Sequence, residues 1–542
     1  MAFCTYFLVP ILNLTKMTRK EDLEFYKKIS PVINNQRYLI PLPTLTVTER
    51  EQRRLAYRNE RKLYKRKSSL SSVEIISIYH PDSPFTVFSS EEWWLGDWDP
   101  LSYGREYDYS KPFFQQFHEL QLKVPRPSLV NNKSENSDYC NFADENKNCY
   151  LITSANRNRD CYYGFLLVNN KDTVDALWST SCELAYECID CLCCYNVQYA
   201  QNCQHCVDSM FLLNCSNLEN CMLCINLKNK KYNIFNKQVT KEEYEKKLSE
   251  IRDSQEKYLE MKQIFNKFKE QMPIRRASNT LASENVFGNN IFNSKNVYYG
   301  FDVYECSDCA YLHDGLKAVD SQDIDFFDNV QLCYESTSLI GFGYRFTMFC
   351  RDSSDLFYCD NCHGCANCFG CVGLRNKKYC ILNKQYTQTE YEEIVPRIIQ
   401  HMIQTKEWGE FFPVSQSLFA YNETLAQEYF PLTKEEAVKK GYLWRDAIQN
   451  KIKSSEGENI LTCSNCRNSF RLIKQEEGFY KKMGLPAPEI CPDCRHAGRM
   501  KLRNPRKIYQ IECNRCHKSL YSSYSINTIH SIYCDKCYLD IL

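Results

Sequence analysis

Residues Asp190 to Ile225 read DCLCCY NVQYAQ NCQHCV DSMFLL NCSNLE NCMLCI when written in sixes. The first place is always Asp or Asn. The second is Cys, Val or Ser, and the fifth is Cys, Ala or Leu. The frame extends backwards through Asp160-Cys161 and Asn148-Cys149, and of the thirteen cysteines from Cys140 to Cys224 only Cys193 leaves places two and five. A strand alternates every two residues and an α-helix every 3.6, so neither holds a side chain on one face at a spacing of three. A coil that turns corners does: Asn and Asp tolerate the left-handed backbone of a corner, and small thiols point inward. Cys188, Cys206 and Cys224 stand 18 residues apart, which suggests rungs of about three hexads.

Working outward, Asn220–Gln238 (NCMLCINLKNKKYNIFNKQ) returns as Asn367–Gln385 (NCFGCVGLRNKKYCILNKQ), identical at twelve of nineteen places and offset by 147. Cys350, Cys359, Cys362, Cys365, Cys368, Cys371 and Cys380 share one three-residue phase. Cys306, Cys309 and Cys333 share another, so a break lies between Cys333 and Cys350. Each copy runs into a segment that begins with Thr and carries acids in its first turn, the signature of a helix start. The expected fold is mainly β with helical caps: two short-rung, cysteine-rich β-solenoids flanked by zinc-ribbon-like modules. The expected divisions are a ribbon-like module at 1–100, a linker at 101–138, solenoids at 139–238 and 279–385, a helical cap at 239–278, a cap with linker at 386–455, and tandem ribbons at 456–542.

Composition limits the function classes. Among 542 residues, 68 Lys and Arg offset 67 Asp and Glu, so no overall field marks a nucleic acid or membrane partner. The apolar run from Phe3 to Leu14 has no preceding basic residue and no cleavage motif after it, and reads as a structural segment rather than a signal peptide. No stretch approaches the roughly 18 apolar residues of a membrane span. A reducing cytoplasm is the expected setting, and 32 cysteines then mean packing or metal rather than disulfides. Within the lattice, Val, Ala, Ser and Leu replace Cys and the spacing never changes as in a ferredoxin run. Packing is the preferred reading there, with a metal-cluster or thiol-redox protein as the alternative.

Beyond Glu456 the cysteines change character. Cys463, Cys466, Cys491 and Cys494, then Cys513, Cys516, Cys534 and Cys537, form four CxxC knuckles. Two knuckles close one tetrahedral site, so about two structural zinc ions are expected, with the pairing of knuckles left open. Four thiolates leave no open position for hydrolytic chemistry. The run from Cys463 to about Lys501, containing GFYKKMGLPAPEICPDCR, resembles the treble-clef-like zinc-ribbon domain and carries each of its ligands. With WWLGDWDPLSYG, NKKYNIFNKQ, KEWGEFFP and AYNETLAQEYFPLTKEEA, the whole chain resembles a group of bacterial cysteine-repeat zinc-ribbon proteins. The resemblance implies zinc and no particular activity.

The last ribbon has a shadow at an ungapped offset of 445: YRNERKLYKRKSSLS aligns with LRNPRKIYQIECNRC. Ser68, Ser71, Ser89 and Glu92 stand where the ribbon has Cys513, Cys516, Cys534 and Cys537, and Thr46 and Glu49 stand opposite the CPDC knuckle. Hydroxyls are poor zinc ligands, so a ribbon-shaped module without metal is expected, held by Tyr79, Phe85, Phe88, Trp93 and Trp94. FYKK at Phe25–Lys28 echoes FYKK at Phe479–Lys482.

Two basic stretches offer a partner surface. Arg50–Lys67 has nine basic residues against two acids, and Arg495–Lys507 has six and none. Arg58, Arg61, Lys62, Lys65, Arg66, Arg499, Lys501, Arg503, Arg506 and Lys507 are therefore candidate contacts to nucleic acid phosphates. Protein is the other partner class; no small-molecule substrate is identified. No catalytic residue is identified either, because the nine His form no nucleophile–base pattern and no phosphate-binding loop is present. His80 and His205 read as turn or surface residues. The leading expectation is a zinc-binding interaction scaffold; a β-solenoid enzyme of unknown substrate stays as a further alternative.

Overall fold

In the computed structural model, residues 19–252, 254–271, 275–446, 459–525, 527 and 530–541 are described; the Phe3–Leu14 run lies outside them. Two long β ladders, parallel except at their last strand pair, form the middle of the chain, the first from Asn131–Asn132 to Lys237–Gln238 and the second from Thr280–Leu281 to Lys384–Gln385. Strands dominate, helices flank them, and neither sheet closes on itself.

Paired residues are twelve apart. Lys171 faces Glu183, Leu177 faces Ile189, and Lys295 faces Ser307. The eighteen-residue rung expected from the cysteines is corrected to twelve. Every multiple of three keeps the thiols in phase, so their spacing alone does not select the period. Each third residue is left-handed: Asp160, Tyr163, Leu166 and Asn169 have φ of 52°, 57°, 57° and 56°. Asn and Asp fill many of these corners because a short polar side chain lowers the cost of that backbone. They also bond along the stack, Asn202 donating to Asn214 at 3.1 Å and Asn214 to Asn226 at 3.0 Å. Cys193, the one residue off the lattice, sits at such a corner (φ 51°) and is exposed.

The lattice cysteines point inward and meet backbone. Cys188 Sγ lies 3.7 Å from Tyr186 O and 3.6 Å from Val197 O, and Cys359 Sγ lies 3.4 Å from Phe357 O and 3.6 Å from Cys368 O. Where Ser takes the place, it does the same: Ser209 Oγ donates to Val207 O at 2.7 Å and accepts from Cys221 N at 3.0 Å. The position therefore suits a small side chain that fills the interior and also satisfies a buried carbonyl.

The phase break between Cys333 and Cys350 is one short turn. Phe327 faces Leu339 at twelve residues, but Val330 faces Gly341 at eleven. Gly341 has φ +143°, and a Cβ there would lie 2.3 Å from Tyr344 Oη. The same shortening occurs at Gly288 (φ +148°), where a Cβ would lie 1.9 Å from Gly300 O. Only glycine fits either place.

Helices α1 (Lys20–Ile29), α2 (Val47–Leu55), α3 (Ser90–Leu95) and α4 (Phe113–Lys123) precede the first ladder. Helices α5 (Lys241–Arg252) and α6 (Gln255–Gln271) separate the ladders; α7 (Gln388–Gln404), α8 (Leu425–Tyr429) and α9 (Lys434–Lys439) follow the second. Helices α10 (Lys474–Met483), α11 (Pro492–Lys501) and α12 (Asp535–Leu539) belong to the C-terminal module. Helix α6 lies along the flank of the first ladder, Tyr258 and Phe265 packing on Phe211. Its last strand is turned back by the antiparallel pair Ile234–Lys237.

The segment read as a linker, 101–138, is not one. It contains α4, whose Phe113, Phe117 and Leu120 are buried in the largest apolar cluster of the chain. Trp408, Phe411 and Phe412, from the later segment read as cap and linker, join the same cluster.

The two terminal modules cross over. Phe25 and Tyr26 of α1 pack on Tyr334 of the second ladder, with ring centroids 6.0 and 5.3 Å apart. Phe479 and Tyr480 of α10 pack on Tyr186 of the first, at 6.2 and 5.7 Å. The two FYKK stretches thus make the same contact on opposite ladders.

Candidate metal centres and the arginine clamp

The eight C-terminal cysteines form two groups. Cys463, Cys466, Cys491 and Cys494 come together, as do Cys513, Cys516, Cys534 and Cys537, with the ligand atoms of each group within 4.8 Å of one another. The knuckles therefore pair in sequence order rather than cross-braced. In each group the first knuckle lies in a hairpin turn, Asn459–Thr462 with Ser469–Leu472 and Tyr509–Glu512 with Ser519–Ser522. The second opens a helix: Cys491 and Cys534 are the N-caps of α11 and α12.

The spacing fits a metal. Tetrahedral bonds of about 2.3 Å to sulfur place the sulfurs about 3.8 Å apart. Cys466 Sγ and Cys491 Sγ are 3.7 Å apart, and Cys516 Sγ and Cys534 Sγ are 3.8 Å apart. Backbone amides face the inner sulfurs, Cys491 N donating to Cys463 Sγ at 3.2 Å and Cys534 N to Cys513 Sγ at 3.3 Å. Burial pushes both thiols up, but these and neighbouring amides outweigh it and bring Cys463 and Cys513 down to about 6. One thiol of each group is thus drawn toward the thiolate, whereas burial and the neighbouring sulfurs push Cys491 and Cys537 up; each set of four cysteines could hold one metal ion.

Among the described residues, the lattice cysteines do not assemble in the same way: no three of them bring their sulfurs within 4.8 Å of one another. One further trio does converge, Glu51, His313 and Asp325, all buried. His313 Nδ1 lies 2.8 Å from Asp325 and Nε2 lies 3.4 Å from Glu51, but Arg54 pairs with that aspartate and Arg506 with that glutamate. Two guanidinium groups already supply the positive charge, so the trio is an ion-pair cluster.

The basic stretches turn inward. Arg58 is 3% exposed. Its guanidinium sits 3.8 Å from both the Phe142 ring of the first ladder and the Phe326 ring of the second, and it pairs with Glu60. Arg499 is paired with Asp175 at 2.8 Å. Arg503 joins Asp190 of the first ladder to Asp302 of the second, and Arg506 joins Asp314 to Glu51. The expectation that these four contact phosphate is corrected: their charges are used within the chain. Arg61 pairs with Asp493 at 2.7 Å, and with Lys62 holds that carboxyl far below its usual range against burial. Arg66 donates to His80 O and Ser83. Lys62, Lys65, Lys501 and Lys507 remain exposed or half-exposed, Lys65 beside Glu74. His80 is buried in a turn, accepting from Asp82 N at 3.1 Å, and His205 is an exposed corner (φ 52°).

The clamp has members that sequence reading missed. Arg50 and Arg54 of α2 reach Asp323 and Asp325 of the second ladder; Arg495 and Arg499 of α11 reach Asp175 of the first. The signal was present: an Arg pair four residues apart recurs at the same offset of 445. Against burial, Arg54 and His313 draw the Asp325 carboxyl down to about 2. Among the described residues, no helix is long and apolar enough to cross a membrane. Compared with family models and with curated proteins, the chain matches neither.

Proposed function

We propose that the protein is a zinc-bound structural scaffold that presents two β-solenoids as a surface for macromolecular partners in the cytoplasm. Each solenoid is a coil of twelve-residue rungs with a corner every third residue, and the C-terminal modules are zinc ribbons. The observation that carries this reading is the pair of Cys4 clusters at sulfur spacings suited to zinc, of which the first opens the helix that bears Arg495 and Arg499. Zinc bound there would fix the start of α11 and so hold its arginines in the first ladder. With four thiolates per ion the metal is structural, and no catalytic group is assigned.

The test is zinc and iron per chain by mass spectrometry on protein purified without oxygen, with a count of free thiols. About two zinc, no iron and the lattice thiols free is the expected result. Stoichiometric iron, or metal beyond the two clusters, would support the metal-cluster or thiol-redox alternative and overturn this one. Nucleic acid is a partner only through the outward lysines. The large cleft between the ladders, some 2930 Å³, is lined by basic and acidic groups in near balance, which does not favour a phosphate track. Salt-dependent RNA binding that disappears in a Lys62→Ala, Lys65→Ala, Lys501→Ala, Lys507→Ala variant would favour it over a protein partner.

A further inference from the structure

We propose that in the N-terminal module the carboxylate of Glu92 occupies the place that a metal ion takes in its C-terminal counterpart, making this a ribbon centred on a side chain.

The two modules match element by element at the offset of 445. The hairpin Tyr64–Lys67 with Glu74–Ser77 corresponds to Tyr509–Glu512 with Ser519–Ser522; Val87–Phe88 corresponds to Ile532–Tyr533; α3 starts where α12 starts. The backbone bonds match as well. Ser69 N donates to Val87 O at 2.8 Å, and Asn514 N to Ile532 O at 2.9 Å. Ser72 N donates to Ser68 O, as His517 N does to Cys513 O, and both donors are left-handed at 64° and 57°. Ser68, Ser71, Ser89 and Glu92 therefore stand at the backbone places of the four cysteines, although none is a thiol.

At the centre, Ser68 Oγ donates to Glu92 Oε2. Ser89 N donates to the same oxygen at 2.8 Å, and Glu92 N returns a bond to Ser89 Oγ at 3.0 Å. Burial pushes the carboxyl up, but its bonds from the serines outweigh that and hold Glu92 below its ordinary range. The chemistry explains the exchange. A Cys knuckle at a helix start puts ligands at the N-cap and at N3, the two places that a Ser/Thr–Glu capping box uses. Thr46 and Glu49 form such a box at α2, where α11 has Cys491 and Cys494. At α3 the Glu92 carboxylate gathers donors from a hairpin and from a helix start, Ser68 and Ser89.

The test is a Ser68→Cys, Ser71→Cys, Ser89→Cys, Glu92→Cys variant of the full chain, titrated with Zn(II) and with Co(II). One metal more than wild type, with the visible spectrum of tetrahedral cobalt thiolate, is expected. A folded variant with no added metal would overturn the proposal. A second arm guards against misfolding: Glu92→Gln should melt several degrees below wild type with its metal count unchanged, and an unchanged melting temperature would also overturn the proposal. Because the first arm reads a difference from wild type, it stands even if the C-terminal clusters hold a metal other than zinc.

Discussion

The N- and C-terminal modules share one backbone and are held by different means. The C-terminal module has little core of its own: around its first cluster only Cys463, Phe470 and Cys491 are buried together. Its other apolar residues, Leu472, Phe479, Tyr480 and Met483, are buried against the first ladder, so a metal or a crosslink is what would tie its own hairpin to its helix start. The N-terminal module instead joins the largest cluster of the chain, in which Tyr79, Phe85 and Val87 lie with Phe113, Phe117 and Phe412. Trp93 is buried and donates to Pro125 O at 2.9 Å, whereas Trp94 is partly exposed. Metal is dispensable where neighbouring helices cover the module, and a hydrogen-bonded carboxylate is enough to keep the turn closed.

The widest gap between the modules should appear at the helix starts. Cys491→Ser is expected to remove one metal ion per chain and unfold the C-terminal module, since metal binding to such sites is worth about 10–16 kcal/mol. Metal analysis and hydrogen exchange over 459–541 would check this. Thr46→Ala, the matching change in the other module, should cost only about 1 kcal/mol. Equal losses would break the comparison.

Next in size are the ladder aspartates. Asp175→Asn and Asp325→Asn each strand buried arginine, at a cost of about 3–5 kcal/mol. Because the modules cross over, Asp175→Asn should loosen α11 at the C-terminal end, and Asp325→Asn should loosen α2 at the N-terminal end. Hydrogen exchange resolved by segment would show the pattern, and loosening on the wrong side would refute the crossover.

The pH dependence sharpens the role of Glu92. Its folded pKa is depressed, so its stabilisation is present above the ordinary Glu range and is lost as pH falls through the lowered value. The melting difference between wild type and Glu92→Gln should therefore be full near neutrality and shrink in acid. The smallest effect is expected at the lattice: Cys203→Ser should cost about 1 kcal/mol or less, because Ser209 and Ser353 already make the same inward bonds. Its metal content should not change.

Much of this was legible in the sequence, for definite reasons. Spacings of three marked the corners and the inward thiols, and the phase change before Cys350 marked the shortened turn. CxxC knuckles announced both Cys4 groups, because ligands so close in sequence define their own geometry. The rung length was hidden, since twelve and eighteen leave the cysteines equally in phase. The destination of the arginines was hidden too: Arg54 meets Asp325 across 271 residues, and counting charge in a local stretch cannot find such a partner. FFQQFHELQLK falls within the expected linker, yet its aromatic spacing is that of a buried helix.

The crossover also orders events during synthesis. Each rung of a ladder rests on residues twelve positions earlier, so a ladder can build as it emerges, one rung on the last. The N-terminal module cannot dock so soon: Asp325, which takes Arg54, follows it by 271 residues. At roughly 10 residues per second this is about half a minute of waiting. Glu51 waits longer still, since Arg506 lies 455 residues on. The N-terminal module is thus among the later parts to settle, although it is made before either ladder.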